Sequence, residues 1–164
     1  MMSTYLKRVL VRDLEGLRTQ LNAYAEEEQL WVLSTGISNS GGTLALHLIG
    51  NVRHFIGTQF GESGYVRDRE AEFNQKHVAR SVIERHIDSA IVELSDAFDR
   101  VTDEMMDRLY PITVAGVSMA TGQFLVHLVA HFAYHLGQID YHRRITTGVN
   151  EAVTGGQMAT LAED

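Results

Sequence analysis

The sequence predicts an all-α fold, a four-helix bundle in a single domain that covers residues 1–164. A chain of 164 residues is long enough to bury one core and short for two domains. Its one proline, Pro111, leaves almost nothing to interrupt long helices. Apolar side chains also recur every three or four residues along several segments, which is typical of amphipathic helices.

The spacing of these apolar residues places the four helices. The first covers about residues 4–29, and its apolar face is formed by Leu10, Leu14, Leu17, Leu21 and Tyr24. The second covers about residues 43–61 and begins with a cap at Thr43 or just before it. The third covers about residues 81–100 and the fourth about residues 121–147.

The connections between the helices have their own signals. Residues 61–77 are polar, charged and without a steady period, which predicts a long crossover loop that could contribute to a functional surface. Residues 112–117 follow Pro111 and are rich in β-branched side chains, which predicts a short strand or extended pair before helix four. Residues 150–164 are expected to form a loosely held tail.

Composition excludes several classes of function. Fourteen Lys and Arg against 21 Asp and Glu give a net charge of -7, which argues against a nucleic-acid partner. Cysteine is absent, so disulfides, Cys-ligated zinc and thiol nucleophiles are excluded, and a reducing cytoplasm is the expected location. Lys7 and Arg8 interrupt the apolar N-terminal segment, and no window approaches the roughly 18 uncharged apolar residues of a membrane span.

Six of the eight histidines lie in predicted helices two and four, whereas His77 and His86 have no spacing partner. At about 100° per residue, one arc of about 80° on helix four holds five polar side chains: His127, His131, His135, Gln138 and His142. The neighbouring positions are apolar, so the arc is expected to face the bundle interior. Buried imidazoles need partners.

A divalent metal ion is one such partner. Side chains at i and i+4 stand about 6 Å apart, whereas i and i+8 are separated by about 12 Å of helix rise, so helix four can donate two ligands. Helix two offers His47, followed on the same face by Asn51 and His54. Three imidazoles would leave an open coordination position, which is typical of catalytic sites. Ordinary core or surface histidines without a metal are the alternative.

Two segments resemble the DinB-like (YfiT-like) metalloprotein superfamily of bacterial four-helix bundles. They are LHLIGNVRHF from Leu46 to Phe55 and HLVAHFAYHLGQI from His127 to Ile139, and the second is similar to the family motif His-x-x-x-His-x-Gly-Gln. With helix order and length, the resemblance covers nearly the whole chain. Leu136 departs from the pattern, because many members carry Arg there.

The resemblance implies that His47, His131 and His135 are the metal ligands. It implies one divalent ion per chain, nickel or zinc first and iron or manganese as alternatives, and a homodimer, whose interface we place on helices one and four. Five residues are candidates for the surroundings of the ligands, with ordinary hydrogen bonding or core packing as the alternative for each: Asn51, His54, His127, Gln138 and Tyr141.

The leading functional hypothesis is a small metal-dependent enzyme that activates water or a low-molecular-weight thiol, as a transferase or a hydrolase. No catalytic residue is assigned, although His127, His54 or Tyr141 could handle protons. No Glu is spaced as an obvious general base, which favours thiol transfer over peptidase-type hydrolysis. The alternative is a non-catalytic structural or stress-associated dimer in which a metal serves only stability or is absent.

Overall fold

The computed structural model describes residues 2–153 and 158–161, and this part of the chain is all-α, without a β-strand. Seven α-helices follow in chain order: α1 (Met2–Asn22), α2 (Gly41–Val52), α3 (Gln59–Gly61), α4 (Arg69–Asn74), α5 (Arg80–Phe98), α6 (Asp103–Met106) and α7 (Thr121–Thr147). A π-helical segment, Arg53–Thr58, joins α2 to α3. Two 3₁₀ helices cover Glu27–Trp31 and Met158–Leu161.

The long helices form a bundle in which α1 and α2 each pack against both α5 and α7. The apolar faces predicted from the sequence meet in the centre, where Leu14 of α1, Leu48 of α2, Ile87 of α5 and Leu125 of α7 are fully buried. Each such side chain stabilises the fold by about 1.5–3 kcal/mol relative to an exposed one. None of the described helices has the length and hydropathy needed to span a membrane.

The first helix is shorter than predicted. It ends at Asn22 rather than near residue 29, and the 3₁₀ helix Glu27–Trp31 follows. Glu26 begins this second helix through a reciprocal capping interaction with Gln29. The acidic run of residues 26–28 therefore lies at a helix N-terminus, where the helix dipole favours negative charge, instead of at a C-terminus, where it does not. Tyr24 still reaches the core, with 1% of its surface exposed.

The predicted helices two, three and four correspond to α2 with its continuation, to α5 and to α7, and they lie close to their predicted positions. The second begins at Gly41, because the Oγ atom of Ser40, not of Thr43, accepts a hydrogen bond from the backbone of the first turn. Its π-helical continuation was not predicted, but α3 ends at Gly61, as expected. Helix α5 covers Arg80–Phe98 and α7 covers Thr121–Thr147, which confirms the last two predictions.

The prediction that residues 61–77 contain no helix is wrong. Helix α4 lies within this crossover and packs against α2. The carboxylate of Asp68 caps it by accepting a hydrogen bond from the backbone N–H of Ala71, at 2.8 Å. A helix of six residues is too short to show a period in the sequence. Its inward side chain is charged rather than apolar, since it is Glu72 that becomes buried.

Between α6 and α7 the chain forms two isolated antiparallel bridges, Leu109 with Ala120 and Val114 with Val117. The extended pair predicted here is thus present only as single bridges, and the described residues form no strand. Ala115 and Gly116 both adopt positive φ, which makes the turn between the inner pair. Of the predicted tail, residues 154–157 and 162–164 lie outside the described residues.

Candidate metal centre

The centre lies between α2 and α7, which run in opposite directions. Near the start of α2, Gly41 lies beside His142, and the π-helical segment that continues α2 brings Phe55 against Phe124 at the other end of α7. His47 projects from the middle of α2 onto α7, and the whole of α2 is buried. A residue in the middle of α2 therefore faces the third and fourth helical turns of α7, where His131 and His135 lie.

Three imidazoles meet at this point. One ring nitrogen from each of His47, His131 and His135 lies within 4.8 Å of the other two. The Nε2 atoms of His47 and His131 are 3.4 Å apart. The ring centroids of His131 and His135 are 4.5 Å apart, and each ring stands nearly edge-on to the other. Of the described residues, these are the only group of three or more His, Asp or Glu side chains that could hold one ion.

Hydrogen bonds set the tautomers of two of these rings. Nδ1 of His47 lies 3.1 Å from Oε2 of Glu72, and a carboxylate only accepts, so Nδ1 carries the hydrogen, and in the neutral ring Nε2 keeps its lone pair. Nη2 of Arg67 stands 3.5 Å from the same nitrogen, too far to compete. Nδ1 of His135 donates to Oε1 of Gln138 at 2.6 Å, which leaves Nε2 of that ring unprotonated as well.

Glu72 is the residue of this centre that the sequence did not reveal. Its carboxylate, 5% exposed, accepts two hydrogen bonds from the guanidinium of Arg67, at 2.7 and 2.8 Å, besides the one from His47. Burial acts to raise the pKa of Glu72, but the bonds from Arg67 and His47 outweigh it and lower the pKa. The carboxylate therefore stays ionised and holds the imidazole of His47 in one orientation.

Gly50 makes room for that carboxylate. A Cβ atom added at Gly50 would overlap Oε1 of Glu72 and crowd its Cδ and Cγ atoms. Because Gly50 follows His47 by three residues, it lies next to it on the same face of α2. This glycine in an otherwise helix-favouring segment is the one signal in the sequence that could have indicated a close neighbour here.

Burial and neighbouring groups keep two of the three rings, those of His131 and His135, neutral. Burial, as the largest cause, together with the neighbouring imidazoles and Arg67 lowers the pKa of His131 to about 4. Burial and His47 also lower the pKa of His135, although its bond to Gln138 opposes this. Both rings are thus uncharged at neutral pH, and each keeps one nitrogen lone pair.

The donor set fits a divalent ion. Metal to imidazole bonds of about 2.1 Å at tetrahedral angles place two ligand nitrogens about 3.4 Å apart, which is the separation of the Nε2 atoms of His47 and His131. Without a cation, the lone pair fixed on Nε2 of His47 faces another ring nitrogen at this distance. A carboxylate behind a ligand imidazole is also a common arrangement in metal sites.

The other residues predicted to surround the ligands occupy varied places. Asn51 is buried in α2, 7% exposed. His54 is partly buried against Phe55, and burial lowers its pKa. His127 is exposed and stacks on Phe124, so its interpretation as a core histidine is wrong. Tyr141 is 69% exposed, which likewise excludes a core role, and Gln138 is exposed but bonded to His135.

His142 does not share the environment of the other histidines on α7. It is buried, with Nδ1 2.7 Å from the hydroxyl of Tyr24 and Nε2 2.8 Å from the carbonyl oxygen of Val32. The single inward arc predicted for helix four therefore divides into two. His127 lies in solvent and His142 in the core, because a helix that is packed unevenly along its length buries one face to different depths.

An all-helical bundle with three converging imidazoles is thus the class of protein that the fold and the centre define. Residues 3–152 match the family described as "Protein of unknown function (DUF1572)", and the chain belongs to that family. No curated protein and no solved structure matches the chain.

Proposed function

We propose that the chain is a metal-dependent enzyme in which His47, His131 and His135 hold one divalent ion. The observation that carries the proposal is the convergence of three ring nitrogens within 4.8 Å, two of them with lone pairs fixed by Glu72 and Gln138. The resemblance to the DinB-like superfamily supports the same ligand set and favours nickel or zinc.

Three protein ligands favour catalysis over a purely structural role, because structural zinc sites are usually closed by four. A bound divalent ion supplies Lewis acidity, which lowers the pKa of a water or thiol and polarises a carbonyl. The chain's own residues orient the ligands: Glu72 holds His47 and Gln138 holds His135. We therefore favour activation of a low-molecular-weight thiol or of water, in a transferase or hydrolase reaction.

Glu72 also changes one argument from the sequence. A buried carboxylate does lie beside a ligand, but both of its oxygens are engaged by Arg67, one of them also by His47. It is thus committed to orienting the imidazole and is poorly placed to take a proton from a substrate. The preference for thiol transfer over peptidase-type hydrolysis is retained on this new ground.

Elemental analysis after loading with nickel or zinc, followed by thiol-conjugation, esterase and amidase screens, tests the proposal. We expect about one ion per chain, and activity that disappears together with the ion in His135→Ala. His86→Ala is the control and should retain both. Activity that survives complete metal removal would refute the proposal, and a bound ion without any activity would favour the structural alternative. The homodimer remains a prediction that light scattering checks.

A further inference from the structure

A cavity of about 300 Å³ lies between the segment that precedes α2 and the second half of α7. Its walls include Ile37, Leu44, Gln138, Tyr141 and Ile145. The volume is at the lower end of the range of about 300–1,000 Å³ for small-molecule pockets. Several wall residues remain well exposed, including Tyr141 at 69% and Ile145 at 64%, although each carries a large apolar side chain.

Two residues connect this cavity to the three imidazoles. Gln138 lines the cavity while its Oε1 atom accepts a hydrogen bond from His135. Its amide N–H groups are not used by that bond and are available as donors. Leu44 lies three residues before His47 on α2, so the two side chains occupy one face of that helix. A molecule in the cavity would therefore be separated from the ring of His135 by the side chain of Gln138.

None of the described residues that line the cavity carries a charged side chain. Its polar groups are the hydroxyls of serines and Tyr141, the amides of Asn39 and Gln138, and the ring of His142. That ring is fixed as the neutral form, because Nε2 donates to the carbonyl of Val32 and Nδ1 accepts from Tyr24. A carboxylate or ammonium group placed here would give up part of its hydration and find no counter-charge among the described residues that line the cavity.

We propose that this cavity binds the body of the substrate, and that the substrate there is a small uncharged molecule, apolar with one or two hydrogen-bonding groups. The inference rests on the proposed function, because it places the reacting group at the three imidazoles. Gln138 acts as a positioning residue that links the cavity to His135. Acidic thiols are disfavoured in this cavity, and neutral aryl or alkyl thiols and carbonyl compounds are favoured.

The test uses the whole chain loaded with Co²⁺, whose visible absorption reports changes at the centre. Two thiols that share the benzyl mercaptan skeleton serve as probes, the neutral benzyl mercaptan and the anionic 4-(mercaptomethyl)benzoate, and the neutral 4-(mercaptomethyl)benzamide controls for the size of the carboxylate. We expect benzyl mercaptan to bind about tenfold or more tightly than the benzoate, because only the benzoate brings an unpaired charge into the cavity.

Ile145→Lys should reverse this preference, since it places a cation in the wall at an exposed position whose replacement leaves the core intact. The matched control is Val92→Lys on α5, an exposed aliphatic residue outside the cavity, which should keep the preference of the unaltered chain. Equal binding of the two thiols in the unaltered chain, or the same behaviour of both lysine variants, would overturn the inference.

The test also separates this inference from the proposal on which it rests. A chain that fails to bind Co²⁺ would refute the metal centre itself, and the cavity proposal with it. A chain that binds Co²⁺ and responds to both thiols equally keeps the centre but excludes the neutral cavity as the binding site. Thermal unfolding of Ile145→Lys checks that any change in preference comes from a folded protein.

Discussion

Histidines near the middle of α7 and near its C-terminal end differ in the partners of their ring nitrogens. In the second half, both nitrogens of His142 are engaged by groups of the protein, the hydroxyl of Tyr24 and the carbonyl of Val32. Near the middle of the helix, His131 and His135 each direct a ring nitrogen toward His47 and toward one another. The same residue type on one helix is thus a completed hydrogen-bond partner at one position and an open electron-pair donor at another.

This contrast shows that burial alone does not identify a metal ligand. His142 is 4% exposed and His47 is 6% exposed, so the two are equally buried. What separates them is whether the partners of the ring are exhausted. A ring with both nitrogens satisfied by fixed protein atoms has nothing left to offer an ion, whereas His47 has Nδ1 held by Glu72 and Nε2 facing only the ring nitrogen of another candidate ligand, His131.

The largest effect on metal affinity is expected at the three candidate ligand imidazoles. His131→Ala should weaken Zn²⁺ or Ni²⁺ binding by about a hundredfold or more, because one of three ligands is lost. Isothermal titration calorimetry measures the change. His127→Ala, one turn away and exposed, is the matched control and should bind the ion as the unaltered chain does. Equal losses in the two variants would place the ion elsewhere.

The support behind His47 should matter next. Gly50→Ala would displace the carboxylate of Glu72 from His47, and loss of such a support costs about 10–100-fold in metal affinity. The matched control is Gly137→Ala, at a helical glycine where an added Cβ meets nothing within 4 Å. We expect the control to keep its affinity and to gain up to about 1 kcal/mol in stability. An unchanged affinity in Gly50→Ala would show that Glu72 does not orient His47.

A substitution in the hydrogen-bonded pair of Tyr24 and His142 should change the stability of the protein and leave its metal affinity unaltered. Tyr24→Phe removes the donor to Nδ1 of His142 and leaves a buried acceptor unsatisfied, which should cost about 1–3 kcal/mol in the free energy of unfolding. Urea denaturation measures this cost, and calorimetry should find the metal affinity unaltered. A Tyr24→Phe variant that loses the ion but keeps its stability would reverse the roles assigned to the two regions.

The smallest effect concerns pH. Burial lowers the pKa of His142 below its ordinary value of 6.5, so the folded state prefers the neutral ring. The stability from this preference is complete above pH 6.5 and falls below it, until the pH reaches the pKa of the folded state. The loss is at most about 1.4 kcal/mol per pH unit for one group. Urea denaturation of the metal-free protein at several pH values measures this loss. The free energy of unfolding should decline more steeply with falling pH in the unaltered chain than in His142→Gln.

Sequence reasoning succeeded where a long period was present. The apolar stripes of α1 and α5 extend over several turns, and they placed these helices of the bundle. The choice of His47, His131 and His135 came instead from the resemblance of two segments to a known family, and the structure brings these three residues together. Sequence reasoning failed where the determining contact is between residues distant in the chain. Glu72 lies in a helix of six residues, and only the fold reveals that its carboxylate reaches His47.

Arg143 shows the same limit in the core. A charged residue near a helix C-terminus is expected at the surface, but Arg143 is completely buried. Its guanidinium donates to Gln20 of α1, to Asp140 and to the backbone carbonyl of Glu151. These partners lie in three parts of the chain, and no local sequence pattern predicts that they contact Arg143. Interior polar groups are chosen by such distant complementarity, which a periodic pattern does not encode.

The contact between Glu72 and His47 has a thermodynamic consequence for the crossover. Whatever fixes the orientation of His47 also favours the docking of α4 on α2, because one carboxylate joins them. Coupled equilibria are reciprocal. If metal binding at the centre strengthens the docking of the crossover, docking must strengthen metal binding by the same factor. Residues 62–79, the segment between α3 and α5, have no apolar period of their own. A hydrogen bond to a side chain on another helix therefore helps to stabilise the ordered structure of this segment.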